Sequence, residues 1–232
     1  MPGLLLVYSD PGSNVTPEEF NDWYDNEHVP LRIPIPGFQS WSRWTAVDGQ
    51  HPTYPAIYDL SSPSVISQPP YADLANTRSE REKSILSRIA LLDRRTYELL
   101  EPVYPPKAGD AYDPAKPGAV LSIIEVDIKP VPGAEEDFHK WYDGEHIPLL
   151  AKVPGWVRSR RFVLVDSGAI GSEAKGERPP KFLAIHEWES ADVFERSDFK
   201  AASETEWTKR ILGNLAVFKR RRMTLLRAWN EK

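Results

Sequence analysis

Apolar and polar residues follow two periodicities along the chain, one typical of strands and one typical of helices. Continuous or alternating apolar stretches predict strands, and Gly and Pro clusters separate them. The strands predicted in this way span residues 3–9, 38–47, 56–60, 96–103 and 119–128. Thr16-Pro17 followed by Glu19 is a helix-start signal, and residues 75–92 have a helical composition. The first half therefore reads as strand, helix, strand, strand, helix, strand.

The second half of the chain repeats the first. EEFNDWYDNEHVPLRIPIPGF, residues 18–38, aligns without a gap with EDFHKWYDGEHIPLLAKVPGW, residues 136–156. Further on, AIYDL at residue 56 aligns with AIHEW at residue 184, so we expect a longer loop over residues 166–181. A fixed internal offset indicates two copies of one structural unit.

A proline-rich segment separates the two copies. Five of the nineteen residues from 101 to 119 are proline, which favours an extended connection. We therefore predict a first unit over residues 1–101, a linker over 102–118 and a second unit over 119–230. Each βαββαβ unit matches the ferredoxin-like arrangement, so the predicted fold class is α+β with two tandem units whose sheets pack together.

Composition excludes several classes of function. The 232 residues carry 29 basic and 34 acidic side chains, a net charge of −5 that gives no reason to expect a nucleic-acid partner. No stretch is long and apolar enough for a membrane span, and the N-terminus lacks signal-peptide features, so we expect a cytoplasmic protein with no membrane partner. The chain has no cysteine, which rules out thiolate chemistry and disulfides.

The first repeated helix places polar side chains on its apolar face. Helical spacing aligns Phe20, Trp23, Tyr24, Glu27 and His28, and the second copy repeats this pattern through Glu145 and His146. A carboxylate on a buried face needs a partner. The following strand offers Arg43 beside Trp41, and Arg161 in the second copy, so we predict the ion pairs Glu27–Arg43 and Glu145–Arg161, structural or catalytic.

The two histidines are the candidate acid or base groups. An imidazole in a half-apolar pocket is suited to proton transfer near neutral pH, and the arginines would stabilise the oxyanion that forms. The candidate catalytic residues are thus His28, His146, Arg43 and Arg161. The candidate substrate-binding residues are Tyr24, Glu27, Trp41, Tyr58, Tyr142, Glu145 and His186. A zinc site is not expected, because neighbouring Glu and His lack three-ligand spacing.

The motif F..WYD.EHVPL...PGF, followed by a strand with arginine, resembles the EthD-like branch of the dimeric α+β barrel superfamily, here as a tandem fusion. The resemblance covers about 200 residues. It implies that the two sheets form one internal, pseudo-dimeric barrel, with a pocket between each sheet and its helices. It also implies an acid or base role for His28 and His146. Arg32, where the second copy has Leu150, and His186, where the first has Tyr58, make the two pockets unequal.

The leading hypothesis is a cofactor-independent acid/base enzyme, a dehydratase, decarboxylase, isomerase or cyclase, acting on an apolar aromatic or polyketide-like small molecule of secondary metabolism. Eight Trp, nine Tyr and eight Phe favour such a ligand. Three alternatives stay open: a quinone-forming monooxygenase, a haem protein with a histidine ligand, and a non-catalytic small-molecule-binding protein. The expected assembly is a monomer or a homodimer.

Overall fold

The computed structural model describes residues 1–230, which form eight strands and six α-helices. The strands are β1 (Gly3–Asp10), β2 (Trp41–Ala46), β3 (Tyr54–Leu60), β4 (Leu91–Leu99), β5 (Val120–Ile128), β6 (Trp156–Ile170), β7 (Phe182–Trp188) and β8 (Leu215–Trp229). The α-helices are α1 (Pro17–Trp23), α2 (Glu80–Arg88), α3 (Ala134–Trp141), α4 (Ile147–Leu150), α5 (Ser197–Ser203) and α6 (Glu206–Gly213). No helix in residues 1–230 is long and apolar enough to cross a membrane.

The eight strands close one antiparallel barrel in the order β1-β3-β2-β8-β5-β7-β6-β4. Each half contributes four neighbouring strands in the same internal order, β4-β1-β3-β2 and β8-β5-β7-β6. The halves join edge to edge through the pairs β2–β8 and β4–β6. The α+β barrel predicted from two ferredoxin-like units is confirmed, and closure leaves no free strand edge.

Several predicted boundaries shift. Residues 166–170, expected in a loop, extend β6 and pair with β4 as far as Leu92 and Ile170. Residues 91 and 92, predicted as the end of a helix, belong to β4, and α2 ends where Ile89 becomes extended. The helix start at Thr16 is confirmed, because its hydroxyl accepts a hydrogen bond from the Glu19 amide at 3.2 Å.

The core has two kinds of compartment. Inside the barrel, residues such as Leu6, Trp44, Ile123 and Met223 come from both halves and are buried together. Outside it, each half packs its helices on its own part of the sheet, with Phe20 and Trp23 in the first half and their repeat counterparts in the second. Both faces of the strands are therefore covered. The halves are not strictly separate on the helix side, because Gly168, Ala169 and Ile170 at the end of β6 line a cavity beside α2 of the first half.

The Pro-Gly turn of each repeat has a backbone requirement. Gly37 and Gly155 adopt φ values of 95° and 88°, in the left-handed region that residues with a Cβ rarely occupy. At Gly37 an added Cβ would also lie 2.6 Å from Val65 Cγ2. The repeated glycine thus directs the chain from the first helix into the next strand.

Candidate functional site

A wide helical turn follows the first helix of each repeat. After α1 the chain continues as a π-helical turn over Tyr24–His28, in which the Val29 amide donates to the Tyr24 carbonyl at 3.0 Å. The second copy repeats this turn over Tyr142–His146. The extra residue per turn rotates the positions that follow, so the helix face predicted from α-helical spacing does not continue. The same α-helical spacing would place Leu31 on the buried face, three residues after His28, but Leu31 is 43% exposed.

The π-helical turn brings His28 back onto the buried face. The imidazole packs against Trp23 and Tyr24, with ring centroids 4.6 and 4.7 Å away. Its Nδ1 lies 3.3 Å from Glu82 Oε1 of α2 but outside hydrogen-bond geometry. Burial, reinforced by the positive charges of Arg32 and Arg43, holds the pKa of His28 well below its usual value. The imidazole is therefore neutral at pH 7.

His28 lines a cavity of about 390 Å³ between the sheet and α2. Its apolar wall includes Leu5, Val7, Ile66, Leu86 and Leu92. Its polar wall comprises His28, Arg32, Tyr58, Arg78, Glu82 and Arg94. Such a mixture of apolar walls and a few converging polar groups is typical of small-molecule sites. We call this the first cavity.

Two further groups in the first cavity have perturbed protonation. Burial raises the pKa of Glu82, and the charges of Arg32 and Arg78 oppose this rise. Burial also raises the pKa of Tyr58 well above its usual value, so its hydroxyl stays protonated. Within residues 1–230 that hydroxyl forms no hydrogen bond of good geometry, although the Tyr24 side chain is close enough to raise its pKa. Buried polar atoms without protein partners are uncommon, and here one lies at the cavity wall.

The second half has a smaller cavity of about 210 Å³, which we call the second cavity. His146 stacks on Trp141, with centroids 4.3 Å apart, and lies 5.9 Å from the ring of His186. Burial lowers the pKa of His146 to about 4 and that of His186 to about 3. The walls are mostly apolar, and Arg220 is the charged group among the residues that line the cavity in the described chain.

The repeat aligns the two cavities residue by residue. His28 corresponds to His146 and Tyr58 to His186, as the sequence indicates. Glu82 occupies the third residue after the α2 cap, where α6 has Thr208. Arg32 corresponds to Leu150, which lines the second cavity. The first cavity therefore has two charged groups where the second has a hydroxyl and an apolar side chain.

Comparison with known proteins supports this architecture. No family model matches the sequence. The core atranone cluster protein 1 of Stachybotrys chlorohalonatus is 25% identical over 201 residues, 82% of each chain. Among solved structures, an anthrone oxidase-like protein superposes with a TM-score of 0.62 at 13% identity, covering 98% of this chain and 92% of its own. The chain has the dimeric α+β barrel fold.

A monooxygenase-like protein of Lactobacillus acidophilus has the same α+β barrel fold. It superposes with a TM-score of 0.60 at 12% identity, covering 99% of this chain and 96% of its own. At such identities the likeness concerns the fold alone. The fold expected from the motif is therefore confirmed, whereas membership of the superfamily and of its EthD-like branch stays a prediction.

The ion-pair partners predicted for Arg43 and Arg161 are wrong. Arg43 donates to Asp25 Oδ1 at 2.5 Å and to Asn21 Oδ1 at 2.7 Å, and its guanidinium lies over the Tyr24 ring at 4.4 Å. In the second half Arg161 pairs with Asp143 and contacts His139. Neither arginine lines the first or the second cavity. The aspartate of the repeated WYD motif is the residue that sequence reasoning missed.

Glu27 and Glu145 accept hydrogen bonds from the capping residues of α2 and α6 and do not pair with an arginine. Glu27 Oε1 accepts a 2.5 Å hydrogen bond from the Ser79 hydroxyl, and Ser79 caps α2. Glu145 Oε1 accepts a 2.5 Å hydrogen bond from Thr205, the cap of α6. The π-helical turn moves these carboxylates to the side of the helix, so they do not line either cavity.

The remaining candidate residues divide between cavity wall and core. Tyr58 lines the first cavity, and Tyr142 and His186 line the second. Trp41 and Tyr24 are buried in the core of the first half and line neither cavity. The structure adds Glu82, Arg32 and Arg78 to the site. The exchange of Arg32 for Leu150 between copies was a signal in the sequence for Arg32, whereas the sequence analysis did not single out Glu82 or Arg78.

Proposed function

We propose that the protein is a cofactor-independent acid/base enzyme whose active site is the first cavity. Its substrate would be an apolar, oxygenated aromatic or polyketide-like molecule. The observation that carries this proposal is His28, a buried and neutral imidazole that lines a 390 Å³ cavity and has a carboxyl oxygen 3.3 Å from its Nδ1. A neutral imidazole with access to a ligand is a general base at physiological pH.

The proposed first step is proton transfer to His28 Nε2. With Glu82 beside Nδ1, the tautomer that carries its proton on Nδ1 leaves the Nε2 lone pair free. This atom removes a proton next to a carbonyl group or from a phenol. The Glu82 carboxylate then stabilises the imidazolium, as a nearby negative charge favours the protonated ring. The same imidazolium can return the proton at another position or to a leaving oxygen.

The oxyanion formed in this step needs a hydrogen-bond donor. Tyr58 lines the first cavity and its hydroxyl is protonated. The contact of this hydroxyl with Tyr24 lies outside hydrogen-bond geometry, so the Tyr58 hydroxyl is the proposed donor. A fixed donor in a water-poor site stabilises developing negative charge more effectively than solvent does. Arg43, the donor expected from the sequence, is better described as a positioning residue that holds Tyr24 and the π-helical turn.

Dehydration, isomerisation and cyclisation share this proton removal. In a decarboxylation the C–C bond to the carboxylate would break, and the imidazolium form of His28 would protonate the carbanion that is left. A role in secondary metabolism is supported by the 25% identical relative, whose name ties it to an atranone cluster. The repeated histidine motif supports membership of the EthD-like branch. Because the barrel closes within one chain, we propose that a monomer is sufficient for activity.

The test compares matched histidine variants of the whole protein. Wild type, His28→Asn and His146→Asn are incubated with a panel of aromatic hydroxy-ketones and keto acids, and product mass is followed. Loss of a general base lowers the rate by about 10²–10⁴-fold, so His28→Asn should lose turnover, whereas His146→Asn should stay within a few-fold of wild type. Equal loss in both variants would contradict the assignment to the first cavity. Binding without turnover across the panel would favour a small-molecule-binding protein.

A second candidate is a quinone-forming monooxygenase without a cofactor. The likeness in fold to an anthrone oxidase-like protein favours it, because the same base would produce a phenolate that reacts with oxygen. Oxygen consumption separates the two candidates. Turnover that continues under nitrogen supports acid/base chemistry, and turnover that requires one equivalent of oxygen supports the monooxygenase.

A further inference from the structure

The buried arginines of the protein differ in whether they form an ion pair. Arg43, Arg95, Arg161 and Arg221 are buried, and each forms an ion pair with a carboxylate. Arg32 is also buried, at 7% exposure, but no carboxylate of residues 1–230 lies within ion-pair distance of it. A buried cation without a counter-charge lowers the stability of a fold by several kcal/mol. The four paired arginines follow this rule and Arg32 does not.

Local contacts fix the orientation of Arg32, and Glu82, whose carboxylate it influences through charge, lies beyond ion-pair distance. Its Nη1 donates a 2.5 Å hydrogen bond to the backbone carbonyl of His28, and its guanidinium lies 5.6 Å from the Tyr71 ring centroid. Arg32 lines the first cavity. No protein acceptor in residues 1–230 takes up its Nε or Nη2 donors. The donors that remain are those a bound anion would use.

The surrounding charges increase the positive character of the first cavity. Arg78 and Arg94 also line it, and neither forms an ion pair within residues 1–230. Glu82 is the acidic residue among its lining groups. Three arginines and one glutamate thus line the first cavity, in a protein whose net charge is −5. A cavity lined by one sign of charge attracts ligands of the opposite sign.

The second cavity provides an internal comparison. At the position of Arg32 it has Leu150, and its walls are mostly apolar. The two copies share the histidine and the Trp-Tyr pair of the motif, so the fold does not require an arginine at this position. The difference between the two copies therefore lies in the charge of the cavity wall.

From these observations we propose that the first cavity binds an organic carboxylate, with Arg32 as its counter-charge and Arg78 supporting it. The apolar wall requires an apolar body attached to the anion, and a guanidinium group presents donors that match a carboxylate. The inference rests on the proposed function in that the bound carboxylate is the substrate. An arginine that stabilises the carboxylate opposes its loss as neutral carbon dioxide. The carboxylate bound by Arg32 therefore stays on the substrate, and proton transfer occurs at another position of the substrate.

The experiment compares two probes of the same shape, 2-naphthoate and the neutral 2-naphthamide, by titration calorimetry at pH 7.5. Wild type should bind 2-naphthoate at least about tenfold more tightly, as expected for one charge-assisted contact. Arg32→Leu, which copies the second half, should lose this discrimination while it keeps its affinity for 2-naphthamide. Arg220→Leu, at the second cavity, is the matched control and should behave as wild type.

Stability of the unliganded variant gives an independent measurement. If Arg32 is a counter-charge for a bound anion, Arg32→Leu without ligand should have a melting temperature equal to or higher than that of wild type. A lower melting temperature would indicate that Arg32 only supports the fold. Equal affinity of wild type for the two probes, binding of neither probe, or discrimination that survives Arg32→Leu would each overturn the inference. The probe comparison on wild type stands even if the variant does not fold.

Turnover separates this inference from the proposed function. Tight, Arg32-dependent binding of 2-naphthoate without any turnover of the substrate panel would support the anion site and contradict the proposed enzymatic activity. Equal turnover of an acid and its methyl ester would support the enzymatic activity and contradict the proposal that the first cavity binds a carboxylate.

Discussion

The Ser79 hydroxyl donates a 2.5 Å hydrogen bond to Glu27 while its oxygen caps α2 through the Glu82 amide at 3.0 Å. One serine therefore connects the π-helical turn that carries His28 to the helix that carries Glu82. Thr205 makes the same two contacts, with Glu145 and the Thr208 amide, in the second half. The Glu of the repeated motif thus fixes the distance between the two helices of each unit.

Removing this carboxylate should affect stability more than ligand binding. Glu27→Gln weakens one charge-assisted hydrogen bond, so the free energy of unfolding should fall by about 1–2 kcal/mol. Glu145→Gln should give a similar loss because its contacts are equivalent. Denaturant unfolding measures both losses. A large increase in KM of Glu27→Gln with unchanged stability would show instead that Glu27 contacts substrate.

The aspartate of the WYD motif should be more important for stability than the glutamate. Asp25→Asn leaves Arg43, which is 1% exposed, without its counter-charge, and breaking such a pair typically costs about 3–5 kcal/mol when both groups are buried. Because the Asp25 side chain is 21% exposed, we expect a loss of about 2–3 kcal/mol. Asp143→Asn should parallel it. Losses no larger than that of Glu27→Gln in the same unfolding assay would contradict this.

Folding stability should depend on pH through the buried histidines. The unfolded chain protonates them below about pH 6.5, whereas His146 and His186 in the folded protein resist protonation down to about pH 4 and 3. The unfolded state then binds more protons, so stability falls as pH falls below 6.5, by about 1.4 kcal/mol per pH unit for each such histidine. Glu82, whose pKa is raised, opposes this slope in part.

The matched variants for this slope are His146→Gln with His186→Gln and, as a control, His51→Gln. The double variant should reduce the slope of unfolding free energy against pH between 6.5 and 4.5. The control, at an imidazole that is 80% exposed, should leave it unchanged. The slope is read from urea unfolding at several pH values, and an unchanged slope in the double variant would refute the assignment.

Turnover should show a different pH dependence. The active form of His28 is neutral, and its lowered pKa keeps it neutral below pH 6.5. The value of kcat/KM should therefore stay constant from pH 8 to pH 6.5 and fall only in more acidic solution. Arg32→Leu removes one positive charge that lowers this pKa, so its acidic limb should move to higher pH. An acidic limb centred above pH 7 in wild type would exclude His28 as the base.

The two repeats should not fold as independent monomers. Each half alone would expose two strand edges and the inner barrel face, which includes Leu6 and Ile123. We expect residues 1–118 and 119–232 to aggregate or dimerise when expressed separately, and to associate when expressed together. Size-exclusion chromatography with light scattering measures this. A monomeric, cooperatively unfolding half would instead support the domain division predicted from the linker.

The pattern along the chain was sufficient to predict the order of the elements. Strand alternation, the Thr16 cap and the Pro-Gly turn depend on local preferences, so they are visible in a single sequence and appear twice. The same local signals predicted that His28 and His146 point inward. They did not predict that Leu92 and Ile170 pair, because the length of a strand depends on the partner it finds across the barrel.

Tertiary structure alone decided the chemistry of the site. The turn at Tyr24 has π-helical rather than α-helical hydrogen bonds, which moves Glu27 to the side of the helix and lets Arg43 pair with Asp25. The spacing of residues along the sequence cannot distinguish the two kinds of turn. Arg32 and Glu82 are fifty residues apart and meet at His28 only because α2 packs on the turn that follows α1. Sequence determined which side chains were available in each repeat, while packing determined which of them share a cavity, because burial and charge pairing depend on distances in space.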